Sequence, residues 1–130
     1  MAVTIIVASA SGGLLTVDIT SPEFPHPLTG VVWRFDSAGT PIGDEPIGEF
    51  TPKVNTVELG KIADIKTNSF LIEGAVLETG DDPPTPYRVF VTVHQDGKDL
   101  KREVPADNGS GQIGKDDIRF SYPFTIKVKK

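Results

Sequence analysis

The sequence predicts an all-β fold: an antiparallel two-sheet β-sandwich of about eight strands, immunoglobulin-like in layout and almost free of helix. The most regular stretch is residues 118–128, where Ile118, Phe120, Tyr122, Phe124, Ile126 and Val128 alternate with Arg119, Ser121, Pro123, Thr125 and Lys127. Successive side chains of an extended strand point to opposite faces, so this stretch has one buried and one wet face. Asp96-Gly97 lies between two alternating runs and marks a two-residue hairpin, because both turn positions need positive φ. Shorter alternating runs recur along the chain between Gly, Pro, Asn and Asp clusters.

Residues 2–8, with Val3, Ile5 and Val7, form the first predicted strand, and Ser11-Gly12-Gly13 the first turn. Leu15, Val17 and Ile19 alternate with polar residues in the second. Pro22, Pro25 and Pro27 remove backbone donors and make residues 21–27 a loop. In the third strand Val31, Trp33 and Phe35 share one face, which is expected to pack Trp33 into the core. Pro41-Ile42-Gly43 recurs as Pro46-Ile47-Gly48, too short a unit for a repeat architecture and read as consecutive turns. Residues 54–59 form a moderate strand, and Leu59, Ile62 and Ile65 mark one helical turn that Gly60 keeps from lengthening.

Residues 70–78 are apolar on both parities, as in a central strand, and Gly74 there marks a bulge or a close backbone approach. Residues 79–86 are a stiff acidic loop. The Asp96-Gly97 turn implies a register in which Gln95 faces Lys98, His94 faces Asp99, Val93 faces Leu100, Val91 faces Arg102 and Val89 faces Val104. Residues 106–117 are rich in turn formers, offer little to bury, and are expected to be the most mobile internal segment. Pro123 cannot donate to a ladder, and Lys127 and Lys129 are residues that blunt exposed edges. Residues 118–128 are therefore expected at a sheet edge, guarding a monomer against self-pairing.

A chain of 130 residues is expected to form a single domain, 1–130. It contains no cysteine, which excludes disulfides, thiolate metal sites and thiol nucleophiles. The net charge of −5 opposes nucleic-acid binding. Basic residues gather in 118–130 (Arg119, Lys127, Lys129, Lys130) and acidic ones in 36–50 (Asp36, Asp44, Glu45, Glu49), which a solvated surface accounts for. No apolar run is long enough to span a membrane, and the N-terminus lacks the basic region and long apolar run of a signal peptide. A cytoplasmic or non-classically exported protein is expected.

No motif specifies a reaction. His94 opposite Asp99 has the form of a base oriented by an acid, but no Gly-x-Ser-x-Gly elbow supplies a nucleophile, and a cross-strand polar pair is the plainer reading. Two distant histidines without cysteine exclude a structural zinc site. Asp107, Asp116 and Asp117, with Asp81 and Asp82 from another loop, are the candidate oxygen ligands for calcium; turn chemistry is the competing explanation. Asn108-Gly109-Ser110 matches a glycosylation acceptor, and no phosphate-binding glycine loop is present. Trp33 and Tyr87 are candidates for a sugar-stacking platform. The expected function is a non-catalytic binding module without a cofactor, presenting loops 21–29, 79–86 and 105–117 to another protein, with Phe24, His26, Asp81, Asp82 and Tyr87 as candidate contact residues. The alternative is a small hydrolase using carboxylates or His94, or a calcium- or carbohydrate-binding domain.

Overall fold

A computed structural model describes residues 4–23, 26–65, 67–80 and 82–129. Two main sheets pack face to face. The first contains β1 (Thr4–Ser9), β3 (Leu28–Phe35), β4 (Gly48–Phe50), β6 (Ser69–Val76) and β11 (Ile118–Lys129), in the order β1-β11-β6-β3-β4. The second contains β2 (Leu14–Thr20), β5 (Thr56–Lys61), β8 (Phe90–Gln95) and β9 (Lys98–Glu103), in the order β5-β2-β8-β9. A separate pair, β7 (Thr85–Arg88) with β10 (Ser110–Ile113), lies at one end. One four-residue helical turn, α1 (Ile62–Ile65), follows β5 and buries Ile62 and Ile65. The fold is the expected all-β sandwich, with eleven strands among the described residues where about eight are legible as patterns. The extra elements are three- and four-residue strands, too short to carry a readable alternation.

The core is where the parities meet. Leu15, Val17, Ile19, Val91 and Val93 of one sheet face Ile6, Val32, Phe70, Ile72, Phe124 and Ile126 of the other, all essentially inaccessible. Phe70 stacks on Phe124 at 5.3 Å between ring centroids. Gly30 and Gly74 are directly opposite each other in the register of β3 and β6, and the rings of Phe50 and Phe120 lie over them. Gly74 is thus a close-approach position within a continuous ladder.

Several expectations are corrected. β3 buries Val32, while Val31, Trp33 and Phe35 are only partly buried on the opposite face, so Trp33 is not a core residue. Val31-Val32 supplies an apolar residue to either parity, and only the opposing sheet selects between them. In β1, Ile6 and Ala8 point inward, leaving Ile5 and Val7 51% and 52% exposed.

The hairpin keeps Gln95 opposite Lys98 and His94 opposite Asp99. A bulge then shifts the ladder, so that Val93 faces Lys101 and Val91 faces Glu103 rather than Leu100 and Arg102. The turn itself is as expected, with φ of 52° at Asp96 and 81° at Gly97. A Cβ on Gly97 would meet no atom within 4 Å, so the cost of a side chain there is conformational. Gly97→Val should therefore destabilise by more than about 1 kcal/mol in urea denaturation. An unchanged midpoint would mean that the turn does not need positive φ.

β11 is not an edge strand. It pairs antiparallel with β6 and parallel with β1. Ile126 donates its N–H to Asn68 on the β6 side, so even-numbered N–H groups of β11 face β6 and odd-numbered ones face β1. Pro123 is odd and lies one residue before the described register with β1 begins, so its missing donor costs no bond to β6. The edge is β1, and it carries neither Lys nor Pro. Buried Gln95 serves there as a surrogate strand: Ser9 donates its N–H to Gln95 Oε1 and accepts from Gln95 Nε2, both at 2.8 Å. A side chain from the opposite sheet thus satisfies the outward N–H and C=O of Ser9 at the end of this edge.

Residues 106–117, expected as a loop, are not wholly loop. They include β10, Ile113 is fully buried, and Asp107 forms a bridge with Ser121.

Candidate functional site

The strand directions bring the loops after β2 and β6 and the two on either side of β10 to one end of the sandwich, around the β7–β10 pair. These are the three loops singled out in the sequence, and they are tied to one another. Glu23 forms an ion pair with Arg88 of β7 at 2.9 Å. His26 Nε2 lies 2.8 Å from the Pro86 carbonyl oxygen. Leu77 donates to Pro27 O at 3.0 Å, and Thr79 and Gly80 both donate to Gly114 O at 3.0 and 2.9 Å. Glu78 donates its N–H to Asp117 Oδ1 at 2.6 Å. Tyr87 donates its hydroxyl to Asn108 O at 2.8 Å, and Val89 donates to Gly109 O at 2.7 Å. Backbone polar groups that strands would otherwise satisfy are paired between loops, which holds the three segments as one surface.

Within that surface, His26 is half-buried and lines an open cleft of about 270 Å³ between the loops 21–27 and 51–55, with Leu28, Pro22, Pro52 and Asn55. Asp82 is exposed and precedes a cis proline. Tyr87, expected as a contact residue, is only 3% exposed, because Pro86-Tyr87 belongs to a strand whose inward parity takes the ring. Burial pushes its hydroxyl pKa up. Phe24 and Asp81 lie outside the described residues. The sugar-stacking pair is not assembled: Tyr87 is in the core and Trp33 lies on the outer face of the five-stranded sheet.

The oxygen-ligand candidates are engaged locally. Asp107 accepts from Ser121 at 2.6 Å and Asp117 from Glu78, while Asp116 is exposed. No group of three or more His, Asp or Glu side chains among the described residues is arranged to hold a metal ion. His94 sits on the outer face of the four-stranded sheet between two carboxylates. Its Nδ1 is 2.7 Å from Asp99 Oδ1, as expected from the hairpin, and its Nε2 is 2.8 Å from Asp18 Oδ2, which the sequence did not reveal. Asp18 also accepts from Thr56. Both ring nitrogens thus lie within hydrogen-bond distance of a carboxylate oxygen.

A cluster that sequence reasoning missed lies at the seam between the two sheets. Glu103 Oε1 accepts from Thr4 Oγ1 and from the Tyr122 hydroxyl, each at 2.7 Å. Burial would push the Glu103 carboxyl up, but the hydrogen bonds from Tyr122 and Thr4 and the charge of Lys101 outweigh it and lower its pKa. Burial, then the bond to Glu103, pushes the Tyr122 hydroxyl up. The signal available was Tyr122 itself: a tyrosine at a buried parity needs a hydroxyl partner, although its identity depends on the packing of the sheets.

These shifts set opposite pH limits. Glu103, depressed in the folded state, contributes stability above its ordinary value of 4.5, and that contribution is lost as pH falls through the folded value below it. Tyr122, raised in the folded state, contributes below 10.0 and loses its contribution as pH rises beyond that. Urea midpoints measured against pH should show a shallower acid limb for Glu103→Gln than for the unaltered protein; coincident limbs would contradict this assignment.

No protein-family model matches the chain, and neither a curated protein nor a solved structure is detectably similar to it.

Proposed function

We propose that the protein is a non-catalytic binding module that engages another protein through loops 21–29, 79–86 and 105–117. The observation that carries this reading is the cross-tying of these loops into one end surface by Glu23–Arg88, His26–Pro86, Thr79 and Gly80 to Gly114, and Tyr87–Asn108. A surface ordered before binding loses less conformational entropy when a partner docks. The cleft beside His26 gives it a concave element for an anchoring side chain. The hydrolase alternative is less favoured, because His94 is hemmed in by Asp18 and Asp99.

A photo-crosslinking residue at Asp82 or Asp116, both exposed at the loop end, should capture the same discrete protein from an extract of the source cells. The same residue at exposed Asp44, at the opposite end, should not. Capture from position 44 alone, or from none of the three, would overturn the reading. Turnover of a generic ester, glycoside or phosphate that is abolished by His94→Asn would favour the hydrolase alternative instead.

A further inference from the structure

We propose that β1 is a pairing edge for a second copy of this chain, joining two five-stranded sheets across a twofold axis at Ile6. Ser9 directs its N–H and C=O to Gln95, while Ala10 donates to Lys129 O of β11. Odd-numbered N–H and C=O groups of β1 therefore face away from β11, and even-numbered ones face toward it. Those of Ile5 and Val7 have no hydrogen-bond partner among the described residues, and both side chains are half exposed. The other edges of the two main sheets are blunted. β9 is charged at five of its six residues, β5 carries Glu58 and Lys61 beside a register shift, and β4 is three residues long. Among these edges β1 is the long one without charge or proline.

The free backbone groups select the register. A twofold pairing of like strands is antiparallel and self-complementary. Centred on Ile6, it sets Ile5 opposite Val7 of the second copy and Val7 opposite its Ile5, and each such pair exchanges two N–H···O bonds. The outward groups of both residues are then satisfied, and the ladder stops at Ser9, whose groups Gln95 already holds. A centre on Val7 would set Ile5 against Ser9 and lose those bonds. On the outer face, Ile5 and Val7 meet as apolar cross-strand pairs. Charge favours a second copy over an unrelated strand. β9 runs beside β1, with Glu103 bonded to Thr4 and Lys98 lining the same groove as Ser9. The twofold therefore turns the Lys98 end of one β9 toward the Glu103 end of the other. Read from opposite ends, Lys98 matches Glu103 and Asp99 matches Arg102, opposite in sign at both positions. The inference does not rest on the loop reading: β1 lies at the flank of the sandwich, and crosslinking from positions 82 and 116 neither requires nor excludes it.

Sedimentation velocity of the unaltered chain, from about 10 μM to about 1 mM, should show a monomer–dimer equilibrium with a Kd of about 0.1 mM or below. Amide hydrogen exchange at Ile5 and Val7 should slow at least about threefold across that range, as their N–H groups gain partners. Exchange at Ser9, already bonded to Gln95, should not change. Ile5→Lys combined with Val7→Lys sets like charges opposite each other across the axis and should raise the Kd at least about tenfold. Both side chains are half exposed, so the urea midpoint of the monomer should hold. Should the lysine variant unfold, cysteine pairing decides. An equimolar mixture of Ile5→Cys and Val7→Cys chains should form a mixed disulfide faster than either chain forms one with itself. A chain that stays monomeric throughout, with the edge free or taken by an unrelated strand, overturns the proposal. So does a dimer that keeps its affinity in the folded lysine variant, a dimer without slowed exchange at Ile5 and Val7, or equal disulfide rates in the three cysteine experiments.

Discussion

Phe124→Ala should lower the unfolding free energy by about 3–5 kcal/mol, the usual cost of removing a fully buried aromatic ring. Phe124 is 0% exposed, stacks on Phe70 at 5.3 Å and lies 5.7 Å from the Tyr122 ring. Its strand pairs with β6 on one side and β1 on the other, so the surrounding backbone cannot easily collapse into the space. Such a loss is a large part of the roughly 5–15 kcal/mol by which a domain is ordinarily stable. Urea denaturation with the slope held against the unaltered protein measures it. A loss below about 1.5 kcal/mol would mean that the ring is not central to the core.

Gly74→Ala and Gly30→Ala should destabilise for the opposite reason, by overpacking. A Cβ at Gly74 would stand 2.6 Å from Phe120 Cζ and 2.7 Å from Phe50 Cζ. At Gly30 it would stand 2.3 Å from the Glu73 carbonyl oxygen and 2.5 Å from Phe50 Cζ. Adding a methyl group to a filled core costs about 1–3 kcal/mol, and more where the obstacle is backbone. Gly30→Ala is therefore expected to be the worse of the two, since a ring end can turn aside more readily than a carbonyl in a ladder. The two sites share Phe50, so the double variant should cost less than the sum of the singles. Equal midpoints for Gly30→Ala and the unaltered protein would show that the sheet spreads to admit the methyl group.

The sequence by itself determined what depends on neighbours along the chain. The alternation from Ile118 to Val128 holds residue by residue, with Phe120, Tyr122, Phe124 and Ile126 buried. Asp96-Gly97 makes its turn, and the first two pairs of its hairpin, Gln95–Lys98 and His94–Asp99, follow from turn geometry alone.

What only the tertiary structure decided is where two segments must agree. Val31-Val32 fits either parity, and the opposing sheet chose Val32, turning Trp33 outward. The bulge after His94 cannot be seen in β8, whose pattern is regular; it comes from fitting β9, with Leu100 partly buried and Lys101 exposed, against the core. Pro123 costs no bond to β6, but whether its strand is an edge or an interior one depended on β1 lying beside β11, a pairing of residues more than a hundred positions apart. The same holds for Gln95 on Ser9, Asp18 on His94 and Glu103 on Tyr122. Each joins side chains from strands that meet only once the sheets have formed, so each partner is fixed by packing rather than by local pattern.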